Sequence, residues 1–222
     1  MGSSRWSCVL WDVDGTIADA SRGILPRIAQ VLDEGGHPPI PSDQVERWIG
    51  PPMLDSFQDL AGLSLDDAKR SVRRYRELAG QQGYAASVRL YDGVVDVIRD
   101  VHAAGVPQTT ASTKPENQVE TIFSHFGVTD LFEAVHGAIP DPETLDTKAN
   151  VLGRALADMR ARGIDVSSPV LIGDRHHDVE GAAEHGVPVI FARWGFGSRE
   201  EEEGAIAAAD TPADLRALIL TD

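Results

Sequence analysis

The sequence predicts an α/β protein: a doubly wound parallel sheet covered by helices on both faces, with a small helical unit inserted early in the chain. Short runs at residues 6–12, 106–112, 134–136, 169–173 and 187–192 each read as a buried strand. Segments of helical period separate most of them. Between the first run and residue 106 the strand signal is missing, and helical patterning takes its place.

The elements follow in order. The first run ends at Asp12-Val13-Asp14-Gly15-Thr16. Ile24, Leu25, Ile28, Val31 and Leu32 then form one helical stripe, broken by Gly35-Gly36 and by Pro38, Pro39 and Pro41, with Ser42 and Ser64 placed to cap helices. Residues 18–86 therefore read as a helical cap, leaving 1–17 and 87–222 as the α/β core. Residues 89–93 lead back and 94–104 form the next core helix. Thr113 with Glu116 predicts a capping box, and Gly105, Gly127, Gly163 and Gly186 stand where helices should stop. Glu200 to Glu203 read as a solvated acidic helix start.

At 222 residues and a formal charge of −15, the chain can bury a sizeable core but lacks the electropositive footprint that nucleic acid or an anionic membrane requires. An anionic substrate would need a local cation. Cys8 is the only cysteine, which excludes an intrachain disulfide and a cysteine-based zinc site. No run approaches the ~20 apolar residues of a membrane helix. The opening Met1-Gly2-Ser3-Ser4-Arg5-Trp6 carries no hydrophobic signal stretch, so a cytoplasmic monomer or homodimer is expected.

Chemistry concentrates after the first strand. Residues two apart in an extended chain face the same way, so Asp12 and Asp14 present carboxylates to one cavity while Val13 enters the core. Gly15 permits the sharp exit. Two carboxylates at the edge of a buried strand are costly unless a cation or proton compensates them. A calcium-binding helix–loop–helix does not fit, because its sixth position would be Ile17 and its twelfth Gly23.

Asp12-Val13-Asp14-Gly15-Thr16 resembles the first motif of the haloacid dehalogenase superfamily, and Gly173-Asp174-Arg175-His176-His177-Asp178 resembles the fourth. Their order, their strand-end context and the helical insert extend the resemblance over nearly the whole chain. Ser112-Thr113-Lys114-Pro115 is similar to the Thr-Asn-Lys-Pro run of phosphoglycolate-phosphatase-like members. The resemblance implies a Rossmann-like core and a Mg2+-dependent phosphatase working through an aspartyl-phosphate. The expected partner is a small phosphorylated metabolite, with a phosphoglycolate-like substrate favoured.

On that resemblance Asp12 is the nucleophile and, with Asp174, a direct magnesium ligand. Asp14 ligates through its backbone carbonyl and serves as acid and base through its carboxylate. Asp178 ligates directly or through water. The second aspartate accompanies phosphoryl chemistry in the family and argues against carbon–halogen cleavage. Ser112 is expected to hold a phosphoryl oxygen, and Gly15, Thr16 and Thr113 to line the substrate site. Lys148 is assigned as the phosphoryl clamp in preference to Lys114, although Ala149 stands where the common pattern has proline.

Selectivity is expected from the insert, with Arg47 facing the substrate and Arg22 as the alternative. His176 and His177 read as loop-surface histidines, since hard oxygen-lined magnesium sites seldom use imidazole. Residues 193–198 read as a glycine turn with aromatic packing, and Lys69 with Arg70, Arg73 and Arg74 as a solvated basic face. A sugar phosphomutase or 5'-nucleotidase would use the same scaffold. A noncatalytic module would not need the intact Asp12, Asp14, Ser112, Lys148 and Asp174 set.

Overall fold

The computed structural model describes residues 3–141 and 144–221; Met1 and Gly2, part of the opening stretch read above, lie outside the described residues. Five strands, β1 (Cys8–Trp11), β2 (Gln108–Thr110), β3 (Pro169–Gly173), β4 (Val189–Ala192) and β5 (Ala207–Ala209), form one sheet in the order β2-β1-β3-β4-β5. Every pairing is parallel. The two-residue period then divides β1, β3 and β4 between two cores. Val9, Trp11, Val170, Ile172 and Ile190 enter one, and Cys8, Leu10, Leu171 and Val189 enter the other.

Helices α3 (Val94–Ala103), α4 (Glu116–Phe126) and α7 (Pro212–Ile219) supply the first core, and α5 (Lys148–Ala161) and α6 (His176–Ala183) the second. Their ends follow the expected glycines. Gly127 is left-handed at the end of α4, and Gly105, Gly163 and Gly186 all take positive φ.

Between β1 and β2, α1 (Ser21–Glu34) packs against α2 (Leu65–Gln82) around a separate apolar cluster that includes Ile28, Leu32, Trp48, Phe57 and Val72. Ser64 caps α2 by accepting from the Asp67 amide, an interaction worth about 1 kcal/mol. This helical unit joins the sheet through a short antiparallel stem, Ala18–Asp19 against Arg89–Leu90.

Several local expectations give way. Residues 134–136 make one bridge to Thr109 rather than a strand, because threonine side chains replace the ladder: Thr109 Oγ1 donates to the Ala134 carbonyl and Thr110 Oγ1 to that of His136, both near 2.9 Å or less. The Thr113–Glu116 capping box does not form. Pro115 occupies the cap position of α4, and the Thr113 hydroxyl turns away to the helical unit. The turn near Ser42 begins only at Val45, with Gln44 at its cap position. β5 was not foreseen, since three alanines carry little strand signal. Residues 199–202 do form a single helical turn, but Glu201 and Glu202 are only partly exposed and are held by Arg175, His176 and Arg193 rather than by solvent.

Candidate active site

The carboxyl ends of β1, β2 and β3 meet at one point, where the first crossovers diverge. β1 delivers Asp12 and Asp14, both buried, with Val13 between them in the core. Gly15 takes φ 87°, and a Cβ there would collide with the Asp174 carboxylate. β3 delivers Asp174, and the first turn of α6 delivers Asp178. Ligand oxygens of Asp12, Asp174 and Asp178 lie within 4.8 Å of one another.

Each carboxylate is oriented from outside. Thr16 Oγ1 donates to Asp174 Oδ1 at 3.1 Å, and the Phe196 amide to Oδ2 at 2.8 Å. Asp178 Oδ2 accepts the amides of Asp174 and Arg175, each at 3.0 Å. Lys148, at the first position of α5, places Nζ 2.7 Å from Asp12 Oδ1, Asp178 Oδ1 and the Ala111 carbonyl. Burial raises the carboxyl pKa values of Asp12 and Asp174, the latter well above the ordinary range, and the neighbouring carboxylates add to this; at Asp12, Lys148 partly offsets both.

Three buried carboxylates against one ammonium leave two negative charges uncompensated when all are ionised. The donors are oxygen only, buried and convergent, so the residues fit a hard divalent cation of magnesium type.

A second pair sits beside the first. Lys114 Nζ lies 2.8 Å from Asp14 Oδ2, while the buried Asp14 Oδ1 has no hydrogen-bond partner among the described residues. Burial raises the Asp14 pKa, and Lys114 works against that rise. The two lysines between which the sequence chose therefore both enter the centre: Lys148 on Asp12, Lys114 on Asp14. Ser112 is buried at the end of β2, its Oγ accepting the Lys114 amide at 3.2 Å, which leaves the hydroxyl hydrogen free for an incoming acceptor.

A cavity of about 60 Å³ opens from Asp14 toward the helical unit, lined by Trp48, Tyr75, Arg76, Thr113, Lys114 and Gln118 among others. The structure does not bring Arg47 or Arg22 to it. Both are exposed; Arg47 lines a separate cleft with His176 and His177, and Arg22 lies on the first turn of α1. Thr113 lines the cavity and donates to the Gly50 carbonyl at 2.7 Å.

His176 and His177 are not on a loop. They open α6, half-buried, with ring centroids 3.7 Å apart and His176 Nδ1 2.7 Å from Glu201. The 193–198 segment does more than pack: besides the Phe196 amide on Asp174, Trp194 Nε1 donates to the Thr16 carbonyl at 3.0 Å. Two glycines of that segment press against Asp174, where a Cβ would not fit. Their spacing was the signal available in the sequence.

The family profile described as haloacid dehalogenase-like hydrolase matches residues 9–192. The chain is 34% identical over 189 residues to the tyrosine-protein kinase PtkA of Mycobacterium tuberculosis, covering 85% of this chain but only 62% of that protein's length. It is 32% identical over 214 residues to a 5'-nucleotidase of Pseudomonas aeruginosa, covering 96% of this chain and 94% of the relative. The crystal structure of a predicted phosphatase from Clostridium acetobutylicum superposes with a TM-score of 0.87 at 28% identity, covering 96% of this chain and 97% of the other.

Proposed function

Because the chain belongs to the haloacid dehalogenase-like hydrolase family, we propose that it is a phosphoric monoester hydrolase acting on a small phosphorylated metabolite, with Asp12 as the nucleophile. The observation that carries this reading is the paired arrangement at the ends of β1 and β3. Lys148 bridges Asp12 and Asp178 at 2.7 Å, and Asp14 offers a free buried oxygen beside them. Hydrolysis is favoured over the kinase activity named for the longer relative, because the 5'-nucleotidase is matched along almost its whole length.

In the proposed reaction an oxygen of Asp12 attacks phosphorus and the ester oxygen leaves, forming an aspartyl-phosphate that water then cleaves at phosphorus. Asp14 gives a proton from Oδ1 to the departing oxygen and takes one from the attacking water. Lys148 holds Asp12 in place and neutralises developing charge, while the Ser112 hydroxyl donates to a phosphoryl oxygen. Lys114 fixes the other oxygen of Asp14, a residue that lines the cavity. Gly15 and Thr16 serve by positioning Asp174. Asp12, Asp174, Asp178 and the Asp14 carbonyl would hold magnesium, which when bound would supply the positive charge that offsets repulsion between carboxylate and phosphate dianion. Residues 18–86 act as a cap over this centre, and its closure excludes water from the ester.

Hydrolysis of para-nitrophenyl phosphate with magnesium, and its absence in chelator, is the expected result. A protein that releases no phosphate from this ester or from a phosphometabolite panel would overturn the reading. Conversion of a sugar phosphate to its isomer with little free phosphate would identify a mutase instead.

A further inference from the structure

The cavity beside Asp14 is also lined by a cation that the proposed chemistry does not use. Arg76, on α2, lines it, and its Nη1 is buried with no hydrogen-bond partner among the described residues. A buried guanidinium nitrogen left unmatched is costly unless something completes it. The wall around it is polar as well: Tyr75 lines the same cavity, and the buried Arg27 stands next to Tyr75, anchored through Nε to Gln82 at 2.7 Å. Asp14, which also lines the cavity, is already matched by Lys114. The exposed Asp141 acts on Arg76 electrostatically but does not outweigh the cost of burying the guanidinium.

We infer that Arg76 forms a second anion subsite, so that the preferred substrate is a small phosphomonoester whose alcohol portion carries a carboxylate a few bonds from the ester oxygen. The inference rests on the phosphatase reading and names the leaving group for it. Asp14 marks where the ester oxygen departs, and the cavity runs from there to Arg76, so the group lying in it is the alcohol. A volume of about 60 Å³ holds roughly four to six waters at 10–15 Å³ each, enough for a two- or three-carbon acid. A guanidinium fork matches a planar carboxylate with two parallel hydrogen bonds, which a hydroxyl cannot return. Arg76, Pro115 and Gln118 also line an outer cleft of about 370 Å³, which places Arg76 at the mouth through which the acid enters.

The test compares 2-phosphoglycolate with 2-hydroxyethyl phosphate, its uncharged counterpart, and with uridine monophosphate, using the full-length magnesium-loaded protein. Wild type should prefer the acid. Arg76→Met should reduce the acid-to-neutral ratio of kcat/KM by roughly ten-fold or more, the scale of a lost charge-assisted hydrogen bond, mainly through KM. Arg76→Lys should restore part of the ratio. Thermal melting of both variants separates this effect from misfolding, and Arg76 is partly exposed on α2, where such changes are tolerated. An unchanged ratio in Arg76→Met, or a wild-type preference for uridine monophosphate or 2-hydroxyethyl phosphate, overturns the subsite while leaving the phosphatase reading intact. Failure of wild type on all three and on para-nitrophenyl phosphate overturns both.

Discussion

Arg175, in the loop after β3, donates from Nη1 to the main-chain carbonyl of Ile49 in the helical unit. The same nitrogen reaches the Glu46 carbonyl at 3.3 Å, and Nε is fixed by Glu201 at 2.8 Å. Thr113 adds a bond from the loop after β2 to Gly50. These contacts hold the 46–50 segment against the catalytic loops. Arg175→Met would leave the Ile49 carbonyl without its guanidinium partner and remove one of the cations on Glu201, at about 1.5–3 kcal/mol for a bond to a charged group. We expect faster hydrogen exchange at the amides of residues 47 and 49 and a kcat/KM lower by roughly ten-fold. Unchanged exchange would show that Arg175 does not hold the segment.

The acid role of Asp14 predicts a dependence on the leaving group. Asp14→Asn should lower turnover by roughly 10²–10⁴-fold for alkyl phosphates, the usual worth of general acid–base catalysis, and by less for para-nitrophenyl phosphate, whose departure needs little protonation. A series of aryl and alkyl esters reads this directly. Equal losses across the series would move the acid to another group.

Metal and pH are linked through Asp174. Its folded pKa is raised above the ordinary 3.8, chiefly by burial and then by Asp178 and Asp12. The metal-free folded protein therefore keeps a proton that the unfolded chain has released. Stability from this group is fully present below 3.8 and is lost as pH rises through the raised value. In chelator, the Tm of wild type relative to Asp174→Asn should fall as pH rises, and magnesium should remove that fall because it binds the ionised form. Asp174→Ala should raise the magnesium requirement more than Asp178→Ala, and calcium should inhibit. A pH-independent difference in chelator would contradict the assignment.

Cys8 is fully buried in β1, and burial pushes its thiol up to about 11. The thiolate that alkylating reagents require is therefore scarce and inaccessible. Native protein at pH 8 should resist iodoacetamide until unfolded, as mass spectrometry of intact protein would show. Rapid native modification would indicate that β1 opens.

Most of the sheet was legible because β1, β3 and β4 are apolar runs buried on both faces, and the acidic centre because Asp12, Asp14, Asp174 and Asp178 sit directly at strand ends or one turn beyond. What escaped the sequence depends on side chains meeting over long separations. Thr113 looks like a helix cap locally, yet its partner is Gly50. Lys114 and Lys148 both precede or open helices, and only the fold shows that each matches a different aspartate. Arg47 stood beside a proline turn and drew notice for that reason. Arg76 lay unmarked inside a basic, amphipathic helix, where sequence alone gives no sign of which arginine turns inward.

The central claim, that Asp12 takes the phosphoryl group before water does, is tested most directly by stereochemistry. A phosphorothioate ester made chiral at phosphorus with oxygen isotopes would be hydrolysed in isotopically labelled water, and the configuration of the released thiophosphate determined. Two successive in-line displacements, first by Asp12 and then by water, predict net retention. Net inversion would mean a single direct attack by water and would contradict the account.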